Sequence, residues 1–177
     1  MNTPKYLIQN VEKYGNEPAL SIKDRSGKWQ TDTWTEFHSF VMEISKSLFA
    51  CGLNKNEKIS IYSYNRREWY GCYLAAQCIK SVAVGVYHTC SSKEVEWVVG
   101  NSDSKIVFVG NNPNDNGESD KMPNYRLLNV IDKLHNIEIV VLMEGVEKLD
   151  HEKIITWDEF IEKGKDIEDS QINELTD

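Results

Sequence analysis

The chain has 177 residues, 40% of them hydrophobic, and its 28 acidic residues against 20 basic ones give a net charge of -8 at pH 7. That length and apolar fraction suit one globular domain with a buried core, and the charge balance excludes the basic stripe that nucleic-acid binding requires. The acidic excess is local: from Glu144 onward there are twelve acids against four lysines, and the remainder is near neutral.

No apolar run approaches the roughly 20 residues that span a bilayer. The N-terminus, Met1-Asn-Thr-Pro-Lys5, lacks the basic-then-apolar pattern of a secretory signal, so a cytoplasmic location is expected. Cys51, Cys72, Cys78 and Cys90 form no CxxC pair. They read as small apolar residues kept reduced, with neither a disulfide framework nor a zinc site. His38, His135 and His151 stand apart from one another and from any carboxylate pair, so no metal site is expected.

In chain order, Thr3 to Tyr14 predicts an opening helix with Thr3 as N-cap and Pro4 in its first turn, presenting Tyr6, Leu7, Val11 and Tyr14 together. Ala19–Ile22 and Lys28–Thr31 flank Asp24-Arg-Ser-Gly27, which predicts a hairpin. A strongly amphipathic helix follows: Thr35 opens it, Phe37, Phe40, Val41, Ile44 and Leu48 recur at spacings of three and four, and Gly52 suits a left-handed C-terminal cap.

From Lys58 the pattern changes to short β-branched runs alternating with helical ones. Ile59–Tyr62, Val82–Tyr87 and Lys105–Val109 are continuous apolar strands, as a sheet covered on both faces needs. Strict alternation with helices predicts βαβ crossovers and a mostly parallel sheet with helices on both faces. Ile139–Met143 supplies a fourth strand. The loop from Gly110 to Tyr125 is polar and rich in Pro, Asn and Gly, and the acidic end, with few large aliphatics, reads as solvated helix and linker.

Ligands of open α/β sheets sit at the carboxyl ends of the strands, which makes two joints candidate sites. In the first, Ser63-Tyr-Asn-Arg-Arg-Glu-Trp69, a structural role is expected. Asn65 would cap the helix Arg67–Lys80, Glu68 would meet its dipole, and Trp69 would be its first buried residue, followed by Tyr73, Leu74 and Ala76. In the second, Tyr87-His-Thr-Cys-Ser-Ser-Lys-Glu94, Ser91 with Glu94 forms a capping box. A catalytic pair of His88 and Cys90 lacks an orienting third group.

Taken in order, these joints resemble a known family. Thr35-Glu-Phe37, Gly52-Leu53, Ile59-Ser-Ile-Tyr-Ser63 with Asn65-Arg-Arg-Glu-Trp69, Val84-Gly-Val-Tyr87 with Thr89, Ser91 and Glu94, and Asn101-Ser-Asp-Ser-Lys105 before Ile106–Val109 are similar to the N-terminal region of long-chain fatty-acid CoA ligases. These are AMP-forming members of the adenylate-forming superfamily. The resemblance runs from about Tyr6 to Phe160. It departs from the family pattern at Asn56-Glu57, where Gly-Asp is usual, at Lys80-Ser81, where small residues usually close the helix, and at Gly85, where proline is common. A left-handed Lys80 would carry about 1 kcal/mol of strain.

The resemblance implies a partial N-terminal domain: residues 1–165 as part of the AMP-binding domain and 166–177 as an acidic linker. It implies ATP, magnesium and coenzyme A as the complete enzyme's requirements, a fatty acid as its substrate, and peripheral membrane contact as a family habit. The family's Thr-Ser-Gly-Thr-Thr-Gly phosphate loop is absent from residues 1–177, as are GxxxxGK[ST] and GxGxxG. No catalytic, cofactor-binding or metal-binding residue carries over, and Asn65, Arg66, Glu68, Trp69, Tyr87, Thr89, Ser91 and Glu94 match as structural motif residues. The remainder of a ligase chain is the expected partner, with self-association through uncovered apolar surface. Two other readings stay open: a free-standing α/β module that binds an acyl chain or a partner without catalysis, and a flavodoxin-like nucleotide binder, which Ser63-Tyr-Asn-Arg66 has too little glycine to serve.

Overall fold

A computed structural model describes residues 2–23, 26–112 and 121–176. Helix α1 (Thr3–Tyr14) precedes a hairpin of β1 (Pro18–Lys23) and β2 (Trp29–Thr33), then the long helix α2 (Trp34–Ala50). Strands β3 (Lys58–Ser63), β4 (Val82–Val86), β5 (Ser104–Gly110), β6 (Ile139–Leu142) and β7 (Ile154–Thr156) alternate with α3 (Arg67–Cys78), α4 (Ser92–Ser102), α5 (Pro123–Leu128) and a short 3-10 turn at Ile131–Lys133. Helices α6 (Trp157–Glu162) and α7 (Asp169–Thr176) complete the described chain. The five-stranded sheet has the order β4-β3-β5-β6-β7, and every pairing in it is parallel.

Alternation along the strands explains the layers. Ile59, Ile61, Ile106, Phe108 and Val141 point into one core with α1, α2, α3, α6 and α7. Tyr62, Val107, Val109, Val140 and Leu142 point into the other, beneath α4 and α5. Because both faces are covered, these strands need apolar residues at every position rather than at every second one. In the larger core the Phe160 ring meets Phe108 edge-on at 5.2 Å, and Trp157 links it to Phe40 at 6.0 Å.

Helix starts differ from the sequence reading in three places. Asn2, not Thr3, caps α1, its side-chain oxygen accepting from the Lys5 N–H at 3.1 Å. Thr33, not Thr35, caps α2 through a reciprocal box with Glu36, while the Thr35 hydroxyl donates to the Gly15 carbonyl. Arg66, not Asn65, occupies the cap position of α3, without a side-chain cap bond. The predicted box of Ser91 and Glu94 on α4 is present, and Thr156 with Glu159 forms another on α6.

The end of α2 is closed as expected. Gly52 has φ 77°, its N–H reaches the Phe49 carbonyl, and the Leu53 N–H reaches that of Leu48, the two bonds of a Schellman cap. Lys80 is left-handed at φ 59° and Asn56 at 67°. On α1 only Leu7 of the four predicted residues is buried, with Tyr6 and Tyr14 exposed. The hairpin forms, but Asp24 and Arg25 of its turn lie outside the described residues, as does 113–120 of the long loop.

Strand β7 and the docking of α7 were not foreseen. The stretch read as solvated helix and linker holds α7, whose Ile172 is fully buried and whose Thr176 hydroxyl donates to the Cys78 carbonyl at 3.1 Å. No helix among the described residues is long and apolar enough to cross a membrane.

The capping carboxylates make stability depend on pH. Backbone N–H bonds from Thr33 and Ser91 lower Glu36 and Glu94 below the ordinary carboxylate value. The Lys148 ammonium, then the Thr156 N–H, bring Glu159 to about 2. A depressed folded-state pKa means that the unfolded chain takes up protons first. The contribution is therefore complete above the unfolded carboxylate pKa of about 4.3 and is lost as pH falls through the folded values. Melting temperature should fall between about pH 5 and pH 2, and Glu159→Gln should flatten that fall in melts recorded across the range.

Candidate functional site

The strand order places β4 and β5 on either side of β3. In doubly wound sheets this reversal leaves a crevice at the carboxyl ends of the two inner strands, here between Ser63 and Gly110. The crevice is filled by the chain itself. A Cβ on Gly110 would stand 2.8 Å from the Met143 sulfur and closer still to the Ser63 hydroxyl. Glycine is required there because side chains from the two neighbouring strands converge over it.

Arg66 straps this closure. Its Nε donates to Glu68 Oε2 at 2.9 Å, its Nη2 donates to Glu68 Oε1 and, at 2.8 Å, to the carbonyl of Glu144. One guanidinium thus ties the joint after β3 to the loop after β6, across the end of β5. Glu68 is buried in the first turn of α3, where its charge is favourably placed in the helix dipole. Asn65 is exposed and Trp69 only half-buried, stacked on Tyr73 at 5.7 Å. The buried face of α3 is Glu68, Gly71, Cys72, Ala75, Ala76 and Cys78, with Tyr73 exposed.

The open space is displaced toward the hairpin. A crevice of about 1470 Å³ runs between β1–β2 and the carboxyl ends of the sheet, bordered by Leu20, Trp29, Phe40, Tyr64, Arg67 and Trp157 among others. Arg67 fixes its wall: Nε donates to Asp32 of β2 at 2.6 Å and the guanidinium lies 3.9 Å from the centre of the Phe40 ring. On the other side, the Asn111 side-chain N–H donates to the side-chain oxygen of the buried Asn124 at 2.9 Å, and Asn124 donates to the Glu147 carbonyl. Arg67, Asn111, Asn124 and Glu144 were absent from the sequence-predicted set. Arg67 lay within the quoted motif, whereas the other three act through partners distant in sequence.

The second joint is brought next to the first but not into one site. The His88 ring meets Tyr64 edge-on at 6.2 Å. Cys90 offers its backbone carbonyl, not its thiol, to the Tyr62 hydroxyl at 2.7 Å and to Arg126. Tyr87 is 81% exposed. Thr89 accepts from Arg126 through its carbonyl and borders a hollow of about 240 Å³ beside His88. Ser91 and Glu94 bond to each other. Burial pushes the Cys51 and Cys78 thiols up to about 11 and Cys72 well up, with Glu68 adding to the last. These thiols pack rather than react.

The N-terminal turns of α2, α3, α4 and α6 each hold a glutamate of the chain itself, and no glycine-rich loop follows any strand.

The doubly wound α/β fold is shared with solved proteins. The model of the AMP-binding enzyme family matches residues 7–174, and the chain belongs to that family. A long-chain-fatty-acid–CoA ligase of Xenopus laevis is 26% identical over 167 residues, 94% of this chain and 21% of its own. Long chain acyl-CoA synthetase 4 of Arabidopsis thaliana is 27% identical over 88% of this chain and 24% of its own. The crystal structure of coronafacic acid ligase from Pectobacterium brasiliense superposes with a TM-score of 0.77 at 18% identity, over 95% of this chain and 31% of that one. The chain spans about a quarter of the length of the curated relatives it matches.

Replacing Arg66 isolates the strap. Its side chain is 15% exposed and that of Glu68 7%, so Arg66→Ala strands a nearly buried carboxylate and should cost about 3 kcal/mol in urea unfolding. Adding Glu68→Gln should recover part of that loss. A double variant as unstable as the sum of the singles would rule out the stranded charge as the cause.

Proposed function

We propose that this chain is the scaffold segment of a long-chain fatty acid–CoA ligase and has no ligase activity alone. The observation that carries the reading is the ordered series of family-like joints: Asn65 to Trp69 after β3, Tyr87 to Glu94 after β4, and Asn101 to Lys105 leading into β5, each at a strand end of the sheet. The family match over residues 7–174 and the ligase names of the relatives support it.

The complete reaction on this reading joins a fatty acid to coenzyme A at the expense of ATP, through an acyl-adenylate, with pyrophosphate and AMP released. Such chemistry needs donors aimed at the phosphates and magnesium to neutralise them. No residue of this chain is assigned to either task. Its own contribution is to hold β3, β5 and β6 in register, close the joint over Gly110, and present the crevice beside the hairpin. The remainder of the ligase chain is the partner, and a cytoplasmic setting accompanies the reading.

The isolated chain should release no pyrophosphate above background when given ATP, magnesium, coenzyme A and a long-chain fatty acid. Turnover comparable to a complete ligase would overturn the proposal. Titration by calorimetry separates the alternatives. The scaffold reading expects neither ATP nor fatty acid to bind, whereas saturable fatty-acid binding without turnover would favour a binding module.

A further inference from the structure

The two edges of the sheet are unlike. Strand β7 has three residues, Ile154–Thr156, and is hemmed by Glu152, Lys153, Asp158 and Glu159, the charged flanks that keep edges from pairing. Strand β4 reads Val-Ala-Val-Gly-Val. It carries no charge and no proline, its ladder with β3 runs without a register shift, and among the described residues β3 is its only neighbour in the sheet.

The direction of its free backbone groups follows from one bond. The Val82 N–H donates to the Glu57 carbonyl at 2.9 Å, so Val82, Val84 and Val86 face β3. Ala83 and Gly85 therefore turn their N–H and C=O groups outward. Val82 is 46% exposed. On the α3 side the edge bears only Ala83 and Gly85, beneath the Trp69–Tyr73 stack. A Cβ on Gly85 would sit 3.7 Å from the Trp69 ring, so the aromatic stack covers the face of the edge at this residue, whose main-chain groups point sideways, in the plane of the sheet.

We propose that β4 pairs antiparallel with β4 of a second copy, joining two five-stranded sheets into one. The sequence is self-complementary for this. With the two-fold axis through Val84, Ala83 stands opposite Gly85 of the second copy and Gly85 opposite Ala83, so both outward residues of each copy exchange main-chain bonds at once. Val82 lies against Val86 and Val84 against itself on the other face. An uncharged edge brings no like charges together on pairing, and a two-fold arrangement closes after two copies. A five-residue edge with Val82, Tyr73 and Tyr87 beside it is short of the about 800 Å² per partner of a standard interface. The dimer is therefore concentration-dependent rather than obligate.

Sedimentation velocity on the 177-residue chain from about 1 to about 100 μM reads this directly. The expected result is a monomer–dimer equilibrium in that range. Gly85→Pro removes an outward donor without touching the β3 ladder, and Val82→Lys places a guarding charge on the edge. Each should raise the dissociation constant at least about tenfold with an unchanged thermal melt, while Trp97→Ser, on α4 rather than the strand, should not. A chain monomeric throughout would overturn the proposal, as would dimers insensitive to both edge variants but lost with Trp97→Ser. Binding of a capped Val82–Val86 peptide by a chain that stays monomeric would overturn it in favour of a strand from another source.

Discussion

Everything in this structure follows from covering both faces of β3, β5 and β6. Ile59, Ile61, Ile106, Phe108, Val140 and Val141 are fully or almost fully buried, and no single layer of helices could do that. Each large side chain withdrawn from water contributes about 1.5–3 kcal/mol, so leaving one face open would forfeit a sum larger than the net stability of a domain. Helix α2 meets this constraint most directly. Its buried residues Phe40, Val41, Ile44 and Leu48 touch the same core as α3, α6 and α7, which explains why its amphipathic pattern is the clearest in the sequence.

What was legible in the sequence was local. The box of Ser91 with Glu94 and the left-handed Gly52 each involve residues within a turn of one another, and both stand as read. The cap of α2 was misplaced by two residues although the signal existed: Thr33 has Glu36 three positions on, whereas Thr35 has His38. Arg66 was read as part of a packed turn but not as its strap, because its second acceptor, the Glu144 carbonyl, lies 78 residues away. Thr176 reaches a carbonyl 98 residues distant, so composition alone marked the acidic end as solvated. Three residues of β7 are too few to show a period.

The sheet order, read from its second strand to its last, is the one shared by flavodoxin-like domains, whose ligand sits at the reversal beside the first strand. Here that place is packed shut by Ser63, Met143 and Gly110 and strapped by Arg66. The same economy recurs at the helix starts. Helix N-termini attract anions through exposed N–H groups and the dipole, and in this chain Glu36, Glu94 and Glu159 meet that demand from within through capping boxes. At each of these starts the glutamate accepts from the cap residue's own N–H.

Such ties bear on the crevice beside the hairpin. A crevice can be held to fixed dimensions only if the loops around it do not move independently, and three separate ties act on this one. Arg67 pins the hairpin to α3 through Asp32, Arg66 pins α3 to the loop after β6, and Asn124 pins the loop after β5 to Glu147. Each uses a charged or amide group whose partners are fixed in direction, and together they connect the elements around the crevice. Removing the Arg66 tie would therefore loosen the crevice on the side of β6 while leaving the hairpin in place, because the Arg67–Asp32 bond does not pass through it.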